Sequence, residues 1–208
     1  MLDGDEDESR EERRLASMAS AGFTTIETVR LRLRRFGDAD LAPFMAYRND
    51  PDVARYQSWD GITEAEAVAF VREQQTAPVG APGEGLQIAI ERKDRGRMIG
   101  DCAFKVMEDD PRQAEIGYTL AREAQGQGFA TEAVTALLTW AFPTFDLHRV
   151  IAIVDVENTA SVALLERLGL RREAHFRQNI WFKGAWGDEY VYAILRDEWP
   201  AAIRGDAV

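Results

Sequence analysis

Two glycines two positions apart, Gly126 and Gly128, stand in the stretch AQGQGFATEAV, just before a run that reads as a helix. Glycine reaches backbone conformations closed to other residues, and the free amides at a helix start attract anions. The pair therefore reads either as a plain turn or as a cradle for phosphate. A P-loop needs a Lys-Ser/Thr pair after its last glycine, and GFATEA has no such pair. A dinucleotide site needs the glycine turn after the first strand of a parallel series. Here the glycines come late, after antiparallel strand signals, and Asp155 lies 29 positions beyond Gly126 rather than about 20.

Other reactive side chains are few. The single cysteine, Cys102, excludes an internal disulfide framework and a cysteine zinc cluster, and it sits inside a strand pattern, as a core residue would. His148 precedes a buried-strand run and His175 falls on a late strand. Nothing in the spacing pairs either with a base or a metal, so both read as structural. No metal-ligand spacing appears.

The elements that must position these residues follow from periodicity. Alternation over 24–36 predicts one strand, and Asp38 then caps a helix reaching Asn49. A helical turn is expected around Val53, then a helix over 63–75 opened by Thr63 and Glu66 in capping-box spacing. Three antiparallel strands, 86–92, 97–107 and 112–120, precede the glycines. A helix over 128–142, a buried strand over 149–156 and a helix over 158–169 ended by Gly169 come next. Strands 171–183 and 187–195, joined by a KGAWGD turn, close the chain.

The 208 residues suit one domain with tails. Residues 1–22 read as an acidic flexible tail, 23–200 as the folded domain and 201–208 as a C-terminal tail. The net charge of −11 makes the chain a poor general binder of nucleic acid and suits a cationic partner. No apolar run approaches the ~20 residues of a membrane span, and no signal peptide is visible. A cytoplasmic location is the expectation.

Gln125, Gly128 and Ala130 fit the pattern Arg/Gln-x-x-Gly-x-Gly/Ala, which resembles the acyl-CoA pyrophosphate loop of the GNAT N-acetyltransferase superfamily. EIGYTL before it resembles the family's fourth strand, and NTASVALLERLGLRREA after it the second conserved motif. The early LRLRRFGDADLAPFMAYRNDPDVARY resembles the RimJ/RimL-like branch. The resemblance spans roughly residues 26–199. It implies an α/β fold with a mixed, mostly antiparallel central sheet of about seven strands and four helices, the fourth and fifth strands splayed.

It also implies acetyl transfer from acetyl-CoA, as co-substrate, to an amine, with no metal. Gln125, Gly126, Gln127, Gly128, Phe129, Ala130 and Thr131 would cradle the diphosphate. The main chain of Tyr118, Thr119 and Leu120 would pair with the pantetheine arm, and an N–H near Leu120 would hold the developing oxyanion. Glu115 takes the place of the carboxylate base. Asn158 becomes a CoA contact; Leu165 stands where many relatives carry a tyrosine, and Ser161, three after Asn158 as in RimJ/RimL-like relatives, becomes the thiolate partner.

The acceptor side of this fold points to Tyr56, Gln57, Trp59 and Asp60, and to Trp181, Phe182, Trp186 and Asp188 on the last hairpin. Aromatics beside acids suit a cationic amine: a small molecule, including an aminoglycoside, or a protein N-terminus. The hairpin aromatics permit a homodimer without demanding one. A non-catalytic acyl-CoA-binding protein is the contrasting reading, kept open by Leu165.

Overall fold

The computed structural model describes Phe23 and residues 25–199. The two tails expected at 1–22 and 201–208 lie outside the described residues. The stretch 24–36, expected as one strand, is a hairpin instead. Ile26–Glu27 (β1) turns back and pairs antiparallel with Leu31–Arg34 (β2), Ile26 opposite Leu33. The odd spacing from Ile26 to Val29 could not serve one strand face. Val29 sits at the turn, 93% exposed.

Asp38–Asp40 forms one 3-10 turn before α1 (Leu41–Arg48). The carboxylate that organises this start is Asp40 rather than Asp38. It accepts the Gly37 N–H at 2.7 Å and the Arg34 guanidinium at 2.6 Å. A single turn, α2 (Pro51–Ala54), is capped by Asp50. The capping box forms as the spacing requires: Glu66 N–H meets Thr63 Oγ1 at 3.3 Å and Thr63 N–H meets the Glu66 carboxylate at 2.8 Å. It opens α3 (Glu64–Thr76).

The rest of the chain runs β3 (Gly85–Arg92), β4 (Arg97–Val106), β5 (Gln113–Leu120), a 3-10 turn at Arg122–Ala124, α4 (Phe129–Thr144), β6 (Arg149–Asp155), α5 (Thr159–Arg167), β7 (Arg171–Phe182) and β8 (Ala185–Leu195). The last turn is only Lys183–Gly184, both at positive φ (47° and 84°). That is the two-residue hairpin geometry that matches strand twist, so KGAWGD is mostly strand.

The eight strands form one sheet in the order β1-β2-β3-β4-β5-β6-β8-β7. The count exceeds the expected seven by the two-residue β1. Among the described strands, β5 and β6 alone pair in parallel. One sheet face carries the larger core: Ala114, Ile116 and Leu120 of β5 pack with Leu137 and Leu138 of α4 and Leu164 and Leu165 of α5. The other face packs Ala89 and Met98 against Phe44, Tyr47 and Val71 of α1 and α3. Each fully buried Leu, Ile, Val, Met or Phe side chain contributes roughly 1.5–3 kcal/mol relative to leaving it exposed. Among the described residues, no helix is long and apolar enough to cross a membrane.

Candidate active site

β5 and β6 pair over three positions only, from Gln113↔Arg149 to Glu115↔Ile151. Past that point β5 stays bound to β4 as far as Gly100↔Leu120, and β6 stays bound to β8 as far as Asp155↔Glu189. Each strand follows its outer neighbour, and a V-shaped gap opens between them. Main-chain groups in an antiparallel ladder alternate between the two sides. The Ala121 N–H meets Ile99 O at 2.8 Å, and this register turns Gly117 and Thr119 toward β4. Ile116, Tyr118 and Leu120 therefore turn their N–H and C=O groups toward the gap. Thr119, expected to offer its main chain there, spends it on Asp101 of β4. The Gln125 side chain donates to Leu120 O at 3.0 Å, so the Leu120 N–H is what that residue presents to the gap.

The glycine loop lies at the mouth of this gap. Gly126 and Gly128 both take left-handed conformations, φ 71° and 77°. A Cβ at Gly126 would meet nothing within 4 Å, so the loop is open where a ligand would lie. The first helical bond runs from Glu132 N–H to Gly128 O at 3.1 Å, which leaves the amides of Phe129, Ala130 and Thr131 at the helix end. An amide cradle of this kind fits a diphosphate.

The β1–β2 turn braces that loop. Arg30 donates to Gln127 O at 2.9 Å and to the Glu132 carboxylate at 2.5 Å, and its guanidinium lies 4.4 Å from the centre of the Phe129 ring. The Thr28 hydroxyl donates to Glu132 at 2.6 Å. Burial pushes the Glu132 carboxyl up, but the hydrogen bonds from Thr28 and Arg30 outweigh it and hold the group below the usual range. The Gln127 side chain folds back onto Glu123 O at 2.6 Å, away from the loop's open side.

Two cavities occupy the gap. The larger, about 470 Å³, is walled by Leu120, Gln125, Gly126, Gly128, Phe129, Ala130 and Thr131, with Asp52, Leu164 and Arg167 added by the fold. The smaller, about 210 Å³, is walled by Gly117, Ile153, Asp155, Leu165, Ile180, Phe182 and Glu189. Tyr56, Gln57, Tyr118, Asn158 and Ser161 line both. These five form the shared wall, or passage, between the two cavities.

The chemistry at the passage is specific. Tyr118 donates its O–H to Ser161 O at 3.3 Å, and burial pushes its phenol up to about 12. Asn158 caps α5 by accepting the Ser161 N–H at 3.2 Å. Glu115 lies on the opposite face of β5 from Ile116 and Tyr118 and does not line either cavity. Burial raises its pKa, Lys105 across the strand lowers it, and Glu189 raises it again, for a net upward shift. Asp155 and Glu189, opposite each other across β6 and β8, are the charged side chains of the smaller cavity.

The expected acceptor residues divide. Tyr56 and Gln57 line both cavities and Phe182 the smaller. Trp59, Trp181 and Trp186 do not line either. Trp59 covers the Arg48 guanidinium at 3.5 Å, and Trp181 and Trp186 meet edge to face on the hairpin, 61% and 58% exposed. Asp60 pairs with Lys183 at 2.6 Å, and the same ammonium donates to Ala54 O at 2.7 Å and Trp59 O at 2.8 Å. Lys183 thus ties the hairpin tip to the α2–α3 loop beside the smaller cavity.

His175, read as lacking a base, has one: its Nε2 lies 2.9 Å from Asp188, which also accepts the Gln178 N–H at 2.8 Å. The pair is outside both cavities. Cys102 is fully buried in the core, its thiol pushed well up by burial and by Asp101.

Asp155 and Glu189 escaped the sequence reading as site residues. Their strand-end positions were visible, but their juxtaposition belongs to the β6–β8 register. Arg167 and Leu164 were read only as parts of a helix and reach the larger cavity through the placement of α5.

The sequence matches the acetyltransferase (GNAT) domain over residues 30–171. It is 33% identical over 177 residues to the N-acetyltransferase p20 of Bacillus licheniformis, covering 84% of this chain and 98% of that one. Over 118 residues it is 27% identical to the [ribosomal protein uS5]-alanine N-acetyltransferase of Escherichia coli, covering 56% of this chain and 61% of that one. The structure of Mycobacterium smegmatis RimJ, in complex with CoA-disulfide, superposes with a TM-score of 0.70 at 27% identity, over 84% of this chain and 87% of that one. The chain belongs to the GNAT acetyltransferase family, with homologues in its RimJ/RimL-like branch. It is an N-acetyltransferase by family and fold.

Proposed function

We propose that the protein moves an acetyl group from acetyl-CoA to a primary amine by direct attack, with both substrates bound. The parting of β5 from β6, with two cavities meeting behind it, carries this reading. The larger cavity suits the co-substrate. The amides around Gly126, Gly128 and the start of α4 take the diphosphate, and the gap-facing main chain of Tyr118 and Leu120 pairs with the pantetheine. The Leu120 N–H then faces the thioester carbonyl as charge develops on its oxygen. Asn158 and Ser161 contact the arm beside the sulfur.

The smaller cavity suits the acceptor. Asp155 and Glu189 favour a cationic amine, and Tyr56 and Phe182 supply apolar surface for its stem. Glu115 takes the amine's proton through a water, since its side chain stands outside the cavity wall. Among acceptors, the uS5-alanine relative favours a protein N-terminal α-amine, and a small-molecule amine, an aminoglycoside included, is the alternative. No polynucleotide partner is proposed for a chain of net charge −11.

Release of free thiol from acetyl-CoA tests the reading against three acceptor sets: peptides with free N-termini, a polyamine and an aminoglycoside. Turnover with at least one is the expected outcome. Tight CoA binding with no turnover on any would replace transfer with non-catalytic acyl-CoA binding.

A further inference from the structure

We infer that the phenol of Tyr118 protonates the thiolate as it leaves the acetyl group, an inference that rests on the transfer reading above. Among the described residues five line both cavities, and three of them carry a hydroxyl: Tyr56, Tyr118 and Ser161. The scissile carbon–sulfur bond has to lie in that passage, because the acyl carbon must face the amine while the sulfur stays with the pantetheine.

Position separates the three. Tyr118 sits on β5, the strand whose free edge takes the pantetheine, and its side chain crosses the gap to the first turn of α5. Tyr56 belongs to the loop after α2, and its hydroxyl points to Glu157 O at the exposed rim, 3.3 Å away. Ser161 carries an aliphatic hydroxyl, a far weaker acid than a phenol. One turn further along α5, Leu165 is buried and holds no proton to give.

The phenol is poised rather than committed. Its 3.3 Å bond to Ser161 O is long for an O–H···O contact, whose usual length is about 2.7–2.8 Å. An anionic sulfur is a stronger acceptor than that carbonyl and takes the hydrogen bond over. Burial makes the phenol a weaker acid and holds it protonated through the neutral range, and the same low-dielectric surroundings disfavour the thiolate that takes its proton.

The step balances. The amine lone pair forms the C–N bond, and the carbonyl electrons move to oxygen and return as the C–S bond breaks. The pair left on sulfur takes the Tyr118 proton. The phenolate is reprotonated by water, and the amine's proton leaves through Glu115 to solvent. Amine and thioester become amide and thiol.

The CoA thiol itself, titrated on the protein by its thiolate absorbance, gives a readout that needs no acceptor. A hydrogen bond to a charged group lowers its cost of ionisation, so Tyr118→Phe should weaken the bound thiol's acidity about tenfold. CoA affinity should stay within about threefold, since the main-chain contacts persist. With the acceptor the protein turns over, kcat should fall by about tenfold or more while the KM for acetyl-CoA holds. A fluorinated tyrosine at 118, which keeps the hydroxyl and acidifies it, should restore kcat at neutral pH and bring an alkaline limb into the measurable range.

A bound thiol that ionises alike in the wild type and Tyr118→Phe overturns the assignment, whatever the amine panel shows. So does Ser161→Ala producing the shift in its place. A shifted thiol with no amine turned over would instead overturn the transfer reading and, with it, the catalytic role.

Discussion

The two sides of the gap are made of different material. Toward α4 and α5 the wall is mostly backbone: the gap-facing amides of β5, the left-handed glycines and the open end of a helix. Toward the β7–β8 hairpin it is mostly side chain, with Asp155, Glu189, Ile180 and Phe182 set by register and held by the Lys183 clasp. Backbone recognises a ligand through conformation, which many side chains leave intact. Side-chain recognition changes with a single substitution. With the proposed assignment, in which the co-substrate takes the backbone wall and the acceptor the side-chain wall, the fold accounts for the first and leaves the second to individual residues.

Substitutions on each wall can break this contrast. The largest effect is expected from Gly128→Glu, which forces a left-handed conformation on a residue with a side chain and sets its Cβ 3.4 Å from Arg30, distorting the braced loop proposed to hold the diphosphate. CoA affinity should fall by at least about a hundredfold by calorimetry; retained binding would remove the diphosphate from this loop. Glu115→Gln should follow, lowering kcat/KM by about a hundredfold. The base works deprotonated, and its pKa is raised by burial, so wild-type kcat/KM should climb with pH through a value above the ordinary glutamate range. The variant should lack that limb; an unchanged pH profile would clear Glu115 of the role.

Asp155→Asn with Glu189→Gln tests the side-chain wall. The KM for a cationic acceptor should rise about tenfold, less so at high salt, with the KM for acetyl-CoA unmoved. If both constants rise together, the walls are not separable. Lys183→Met unclasps the hairpin from the α2–α3 loop and should raise the acceptor KM about threefold to tenfold, leaving CoA affinity alone.

The smallest change is a stability effect on the backbone wall. Glu132→Gln weakens the brace from Thr28 and Arg30 and should cost about 1 kcal/mol, or about 2–4 °C in Tm. Glu132 is held below its ordinary range in the folded state. Its stabilisation is therefore present above the unfolded pKa and is lost as pH falls through the folded one. A wild-type minus variant difference in Tm that stays flat into acid would deny the brace that role.

Local signals carried much of the fold. The Thr63–Glu66 box, the alternating strands 85–92 and 113–120 and the glycine before α4 each act over a few residues and appear where periodicity puts them. The hairpin at 26–34 was missed because its turn, closed by the Thr28 hydroxyl on Leu31 N–H, has neither glycine nor proline. Asp38 and Asp40 are equally good caps by type, and only the Arg34 pairing selects Asp40. Trp59, Trp181 and Trp186 looked like acceptor contacts by aromatic character, yet Trp59 packs on Arg48 and the other two on each other.

By itself the sequence determined the element order from residue 38 onward, the glycine loop before α4 and the family, because these rest on spacing along the chain. Tertiary structure decided three further things: where β5 leaves β6, which main-chain groups then face the gap, and which five residues join the two cavities. Those features depend on strands 29 and more residues apart choosing different neighbours. No local pattern encodes that choice. Tyr118 shows the consequence: a strand residue by its spacing, it becomes a proton-bearing group at the passage only because the sheet opens beside it.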